Sequence, residues 1–145
     1  MVINIDFDGT CVTHSFPLIG EEIGAAKVLK RLTNHGHKLI LFTMRSDSIQ
    51  SKTVNGSNTP FKDNYLTEAV KWFDNHSIPL YGIQSNPTQH YWTNSPKSYA
   101  ELMIDDSALG CPLKNDRKLS KKPFVDWEKV EKHLENMGLF KKLLK

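Results

Sequence analysis

Val2-Ile3-Asn4-Ile5-Asp6-Phe7-Asp8-Gly9-Thr10 opens as a short apolar run and ends abruptly in two aspartates and a glycine turn. An apolar run of this length, bounded by a turn signal, reads as a buried strand (Val2 to Ile5). Outward from it, Ala25, Val28, Leu29 and Leu32 recur at i, i+3, i+4 and i+7, one face of a helix that Gly36 can close. Lys38 to Thr43 follows as a second strand. Leu66, Ala69, Val70 and Phe73 repeat the helical spacing before Pro79, and Leu80 to Ile83 and Leu102 to Ile104 read as the third and fourth strands. Trp127, Val130, Leu134 and Met137 mark a last helix, capped by Asp126 and stopped by Gly138, with Leu139, Phe140, Leu143 and Leu144 continuing to pack. Strands and helices in alternation predict an α/β domain with a mainly parallel central sheet and helices on both of its faces. The segments Ser46 to Lys62 and Ser85 to Ser98, rich in Ser, Asn, Thr, Pro and Gly, read as polar loops.

A chain of 145 residues, 39% hydrophobic and 24% charged, suits one globular domain spanning 1–145. No apolar run approaches the roughly 20 residues of a membrane span. With no secretory signal at Met1 onward, the chain is read as cytoplasmic. Cys11 and Cys111 are too few for a disulfide scaffold or a zinc site and are expected to be free thiols. The net charge of +3 is mild, although Lys114, Arg117, Lys118, Lys121 and Lys122 form one basic stretch and Lys141, Lys142 and Lys145 another. Such stretches are commonly solvated surface; the sharper alternative is a field that attracts anionic substrates, including nucleic acid. Neither has interleaved aromatic residues, which weighs against nucleic acid.

In parallel α/β sheets ligands bind beyond the carboxyl ends of the strands. There the first strand delivers Asp6 and Asp8, the second Thr43, and the fourth Asp105 and Asp106. One aspartate pair at a strand end is often only a turn former. Two pairs on separate strands that meet make an all-oxygen cage of the kind magnesium prefers.

With these residues in place the chain resembles the haloacid dehalogenase-like hydrolases, whose motifs are a DxDx[TV] after the first strand, a Thr or Ser after the second, a Lys before the fourth and an acidic pair ending it. Here they stand in that order as Asp6-Phe7-Asp8-Gly9-Thr10, Leu41-Phe42-Thr43, Pro96-Lys97 and Met103-Ile104-Asp105-Asp106, within residues 1 to 110. The resemblance implies a Rossmann-like three-layer sandwich and a magnesium-dependent phosphatase that hydrolyses phosphomonoesters through an aspartyl phosphate. Asp6 would be the nucleophile, and Mg²⁺ would be held by the Asp6 carboxylate, the Asp8 backbone carbonyl and either Asp105 or Asp106, the other acting through a water. Thr43 and Lys97 would bind the transferring phosphoryl oxygens. Asp8 would be the general acid and base, a group that ester hydrolysis needs and carbon–halogen cleavage does not.

His14, Arg45 and Asp47 leave the same rim on loops and are candidates to contact the substrate beyond the phosphate, against the ordinary reading of such residues as solvent-facing. His90, Tyr91 and Trp92, in the loop before Lys97, are candidates to stack on a base or ring, against the ordinary reading of core or surface packing. Neither family insertion point holds enough chain for a separate cap domain, so the site is expected to be open. It would serve a phosphorylated small molecule, with a bulky or nucleotide-like leaving group favoured, and an oligomer is compatible with the sequence. Three other readings compete. A receiver-like phosphoacceptor carries its acidic pair early rather than late, and an interaction domain with a retired site sits poorly with intact catalytic positions. A nucleic-acid end-processing phosphatase requires the basic stretch after Asp106 to lie beside the rim.

Overall fold

The structure is a computed structural model that describes residues 1–54 and 56–141, with the strands at 49–54 and 57–62 described by their backbone alone. It is an α/β fold whose main sheet has four strands, all parallel: β1 (Val2–Ile5), β2 (Lys38–Leu41), β5 (Gly82–Ile83) and β6 (Leu102–Ile104), in the order β5-β2-β1-β6. Among the described residues three helices accompany it, α1 (Ala25–Asn34), α2 (Tyr65–Asn75) and α3 (Trp127–Asn136), together with a 3₁₀ turn at Gln89–Tyr91. Ile3, Asn4 and Ile5 are all buried, as are Leu39, Ile40 and Leu41. Consecutive strand residues point to opposite faces, so the centre of the sheet is covered on both sides.

α1 turns inward the predicted face of Ala25, Val28, Leu29 and Leu32, and Gly36 follows it with φ 82°. α3 is capped by Asp126, whose carboxylate accepts from the Lys129 amide at 3.2 Å, and Gly138 follows with φ 81°. The two helices are joined by Arg31, which bridges Glu131 and Glu135 at 2.8 and 2.7 Å. Leu139 is buried in the core cluster and Phe140 packs against it, whereas Leu143 and Leu144 lie outside the described residues.

Two expectations need correction. The second and third strands are shorter than read: β2 ends at Leu41 and β5 occupies only Gly82–Ile83. Phe42 still donates its amide to Ile5 at 2.8 Å, but Thr43 turns away, its amide donating to the Gln84 side chain at 2.9 Å. The larger departure is Ser46 to Lys62, read as a loop, which holds an antiparallel hairpin of β3 (Ile49–Val54) and β4 (Ser57–Lys62). Gly56, just before β4, takes φ 78°. Buried Asp63 ties the hairpin base, accepting from the Ser48 amide and hydroxyl at 3.0 and 2.9 Å. A second small ribbon pairs β7 (Leu113–Lys114) with β8 (Phe124–Val125).

From β1 the chain steps outward through β2 to β5, then returns past β1 to lay down β6 on its other side. The order therefore reverses between β1 and β6. Beyond the carboxyl ends of two such strands the backbones diverge and leave a crevice.

Candidate active site

Asp6 leaves the end of β1 and donates its amide to Ile104 of β6 at 3.0 Å, so the two strands stay paired up to the crevice. Asp105 and Asp106 follow directly on β6. One carboxylate oxygen from each of Asp6, Asp105 and Asp106 can be chosen so that all three lie within 4.8 Å of one another.

Three like charges in so small a volume repel, and the surroundings show how they are held. Thr10 donates its hydroxyl to Asp6 Oδ2 at 2.7 Å and accepts the Asp106 amide at 3.0 Å, so one side chain fixes both strand ends. Asp105 Oδ1 accepts from the Ser107 amide and hydroxyl at 2.8 and 2.7 Å. Asp106 Oδ2 lies 2.9 Å from His14 Nε2. Burial pushes the Asp6 carboxyl up to about 7, and the charges of Asp105 and Asp106 add to the rise against the opposing Thr10 hydroxyl. A divalent cation in an all-carboxylate cluster removes that repulsion. The donor set, hard oxygen throughout, fits magnesium. Among the described residues nothing donates to the Asp8 backbone carbonyl, which leaves it free to serve as a further oxygen ligand.

Cys11 is buried against this loop, its thiol 3.3 Å from the Asp6 carbonyl. Burial and the Asp6 charge push that thiol well up, which removes it as a rival nucleophile.

Gly9 makes the turn possible. Its φ is 79°, a left-handed conformation, and a Cβ there would run into the His14 ring and lie 2.6 Å from Asp106 Oδ2. Gly9→Ala is therefore expected to destabilise the fold by about 1–2 kcal/mol through backbone strain alone. Because His14 and Asp106 must also shift, the variant should lose most of any thermal stabilisation that magnesium gives the wild type. Melting curves with and without the metal check both effects.

The remaining expected residues divide. Thr43 stays at the rim, fixed by Gln84, whose side-chain amide donates to the Thr43 and Arg45 carbonyls at 2.6 and 3.0 Å. Gln84 itself has φ 65°, a strained backbone that nothing in the sequence pattern signals. Asn4, two residues before Asp6 and so on the same side of β1, bonds Ser98 through both its amide groups at 3.1 Å. That anchors the segment carrying Lys97, whose own side chain is exposed.

Arg45 corrects its expected role. It is 2% exposed, and its guanidinium grips Asp8 with two bonds of 2.7 Å, from Nε to Oδ2 and from NH2 to Oδ1. It also donates to the carbonyls of Pro17, Leu18 and Tyr65, which leaves no free face for a substrate. Asp47 is exposed but engaged along the surface, accepting from the Thr67 amide at 3.0 Å and from the Thr67 hydroxyl at the start of α2. His14 is tied to Asp106 rather than standing free. Trp92 is exposed and meets Tyr99 edge to face at 5.5 Å, and the rings of His90 and Tyr91 lie 4.0 Å apart; no contact joins these aromatics to the carboxylates among the described residues.

No family model matches the chain, and no curated protein does. It is similar to a solved structure described as the conserved protein coded by a locus from Bacteroides thetaiotaomicron, with 29% identity, a TM-score of 0.68, and 94% of this chain and 91% of that chain covered.

Proposed function

We propose that this chain is a magnesium-dependent phosphomonoester hydrolase of the haloacid dehalogenase-like type, with Asp6 as nucleophile. What carries the proposal is the meeting of Asp6, Asp105 and Asp106 at the reversal of strand order, tied together by Thr10. The two-sided burial of the sheet supports the finer description of a Rossmann-like three-layer sandwich, and 1–145 is taken as one unit without a cap domain. No described helix is long and apolar enough to cross a membrane, and both cysteines are free, which agrees with a cytoplasmic setting.

Magnesium, held by the Asp6 carboxylate, the Asp8 carbonyl and either Asp105 or Asp106, would supply charge neutralisation between the nucleophile and the phosphate. Asp105 is engaged through Oδ1 by Ser107 and Asp106 through Oδ2 by His14, so each keeps an oxygen for the metal and the one not bound directly would act through a water. The Asp6 carboxylate attacks phosphorus, and the bond to the leaving oxygen breaks as an aspartyl phosphate forms. Thr43 and Lys97 bind the transferring oxygens. Asp8, in its protonated form, hands its proton to the leaving oxygen, and the carboxylate so formed takes one from the water that attacks phosphorus, which breaks the bond to Asp6 and releases phosphate. To do so it must slip at least one oxygen from the Arg45 fork.

Sustained turnover of an aryl phosphate with magnesium, abolished by a chelator and restored by the metal, is the expected result. Turnover matters because a receiver-like phosphoacceptor would stop after one phosphorylation. Undiminished activity in chelator, or none on a broad panel of phosphate monoesters with magnesium, would overturn the proposal.

A further inference from the structure

The basic stretch after Asp106 lies beside this site, and the backbone holds it there. Its downstream flank is bonded to the nucleophile loop itself: Val125 donates its amide to the Gly9 carbonyl at 3.0 Å, and Trp127 donates its indole N–H to the Thr10 carbonyl at 2.7 Å. Its upstream flank is paired to the downstream one through Leu113–Val125 and Lys114–Phe124. The loop between them is thus a closed excursion whose base rests on residues 9 and 10. From Lys114 to Lys122 it carries five cationic side chains against the one acid, Asp116.

Where this loop faces the site there is an open cleft of about 510 Å³ lined by His14, Phe16, Ser120, Lys121 and Lys122, along with Ser15 and Leu119. His14 is shared: its ring forms part of the cleft wall and its Nε2 contacts Asp106 of the carboxylate cluster. No acidic side chain lines the cleft, and neither Lys121 nor Lys122 is ion-paired among the described residues. Two unneutralised lysines, a hydroxyl and an imidazole form an anion-binding lining, and the half-exposed Phe16 ring adds an apolar wall.

From this geometry we propose that the cleft is a second phosphate subsite, so that the substrate is a phosphomonoester whose leaving group bears a further phosphate. The inference rests on the phosphatase reading for the first phosphate and adds the substrate class. His14 borders both anion positions, which suits a compact leaving group with its second phosphate held by Lys121 and Lys122 and its ring against Phe16. A small bisphosphorylated ester and the phosphorylated end of an oligonucleotide present this same chemistry.

The test compares kcat/KM for a nucleoside 3′,5′-bisphosphate, a 5′-phosphorylated dinucleotide and the matching nucleoside monophosphate, with magnesium. The wild type should prefer at least one of the two doubly anionic substrates over the monophosphate, and added salt should compress the preference. Replacing both lysines (Lys121→Gln with Lys122→Gln) should reduce that ratio about five- to tenfold, as expected for two solvent-facing charges. Preference for the dinucleotide would identify an oligonucleotide end, and preference for the bisphosphate a small metabolite. No preference in the wild type, or a ratio unchanged by the double substitution, overturns the subsite. The two readings fail separately: calorimetry of the bisphosphate on Asp6→Asn measures the cleft without turnover. Binding that weakens with the double substitution, alongside a wild type that hydrolyses nothing, would retire the phosphatase and keep the subsite.

Discussion

Asp6→Asn is expected to abolish turnover, a loss of about 10⁴-fold or more, because an amide oxygen cannot attack phosphorus to give an acyl phosphate. The same change should leave a protein that is folded, and the environment of Asp6 says how to prove it. In the metal-free protein this carboxyl is raised from an ordinary 3.8 to about 7 by burial and by Asp105 and Asp106. A raised value means the folded state favours the protonated form. The stability that Asp6 contributes is complete below about 3.8 and lost progressively as pH rises to about 7, since there the unfolded chain ionises and the folded one resists. Asn carries no charge and escapes the loss. Without metal, Asp6→Asn should therefore melt above the wild type by a margin that widens from pH 4 to pH 7, and magnesium should narrow it by relieving the repulsion in the wild type. A dead enzyme that is also more stable without metal separates the loss of chemistry from unfolding. Retained activity, or a variant less stable than wild type at pH 7, would contradict the role assigned to Asp6.

How far the sequence announces this site depends on whether the signal is local. The strand ends at Asp6 and Asp105 are legible because apolar runs bounded by polar residues are local patterns, and strand alternation implies a parallel sheet. The helix faces and the caps at Gly36, Asp126 and Gly138 are equally local. The hairpin at Ile49–Val54 and Ser57–Lys62 was legible too, for Asn-Gly between two extended runs is a strong hairpin signal; the abundance of Ser, Asn, Thr and Pro obscures it. Arg45 and Asp47 are different. Each occupies a loop position that suggests a side chain free for a ligand; tertiary placement instead buries Arg45 opposite Asp8 and sets the exposed Asp47 against Thr67. Thr10 lies inside the motif, yet its double contact with Asp6 and Asp106 depends on how β1 and β6 meet. Gln84 offers no pattern at all.

The Arg45 fork sharpens what is expected of Asp8. Both Asp8 oxygens accept from Arg45, so the fold holds this side chain as an acceptor, suited to taking a proton from water. Giving a proton requires the pair to loosen, and that demand is greatest when the leaving group is a poor one. Asp8→Asn is therefore expected to cost about 10²–10⁴ in rate on alkyl phosphates. On nitrophenyl phosphate, whose leaving group departs without help, the loss should be markedly smaller, while magnesium binding by calorimetry persists because the proposed ligand is the Asp8 carbonyl. Arg45 should behave differently. Its removal strands the Asp8 carboxylate and the carbonyls of Pro17, Leu18 and Tyr65, and Arg45→Ala is expected to cost about 3–5 kcal/mol of stability, as for other buried ion pairs broken from one side. Arg45→Lys keeps the charge but not the fork, and should fall between the two in stability. The discriminating measurement is the ratio of alkyl to aryl phosphate rates in each variant. Asp8→Asn should lower it steeply, since the proton donor is gone; Arg45→Lys should not, since the donor remains and is less tightly held. Equal losses on both substrates in Asp8→Asn would remove Asp8 from proton transfer and leave its pairing with Arg45 as a purely structural tie between the nucleophile loop and the residues leading into the β3–β4 hairpin.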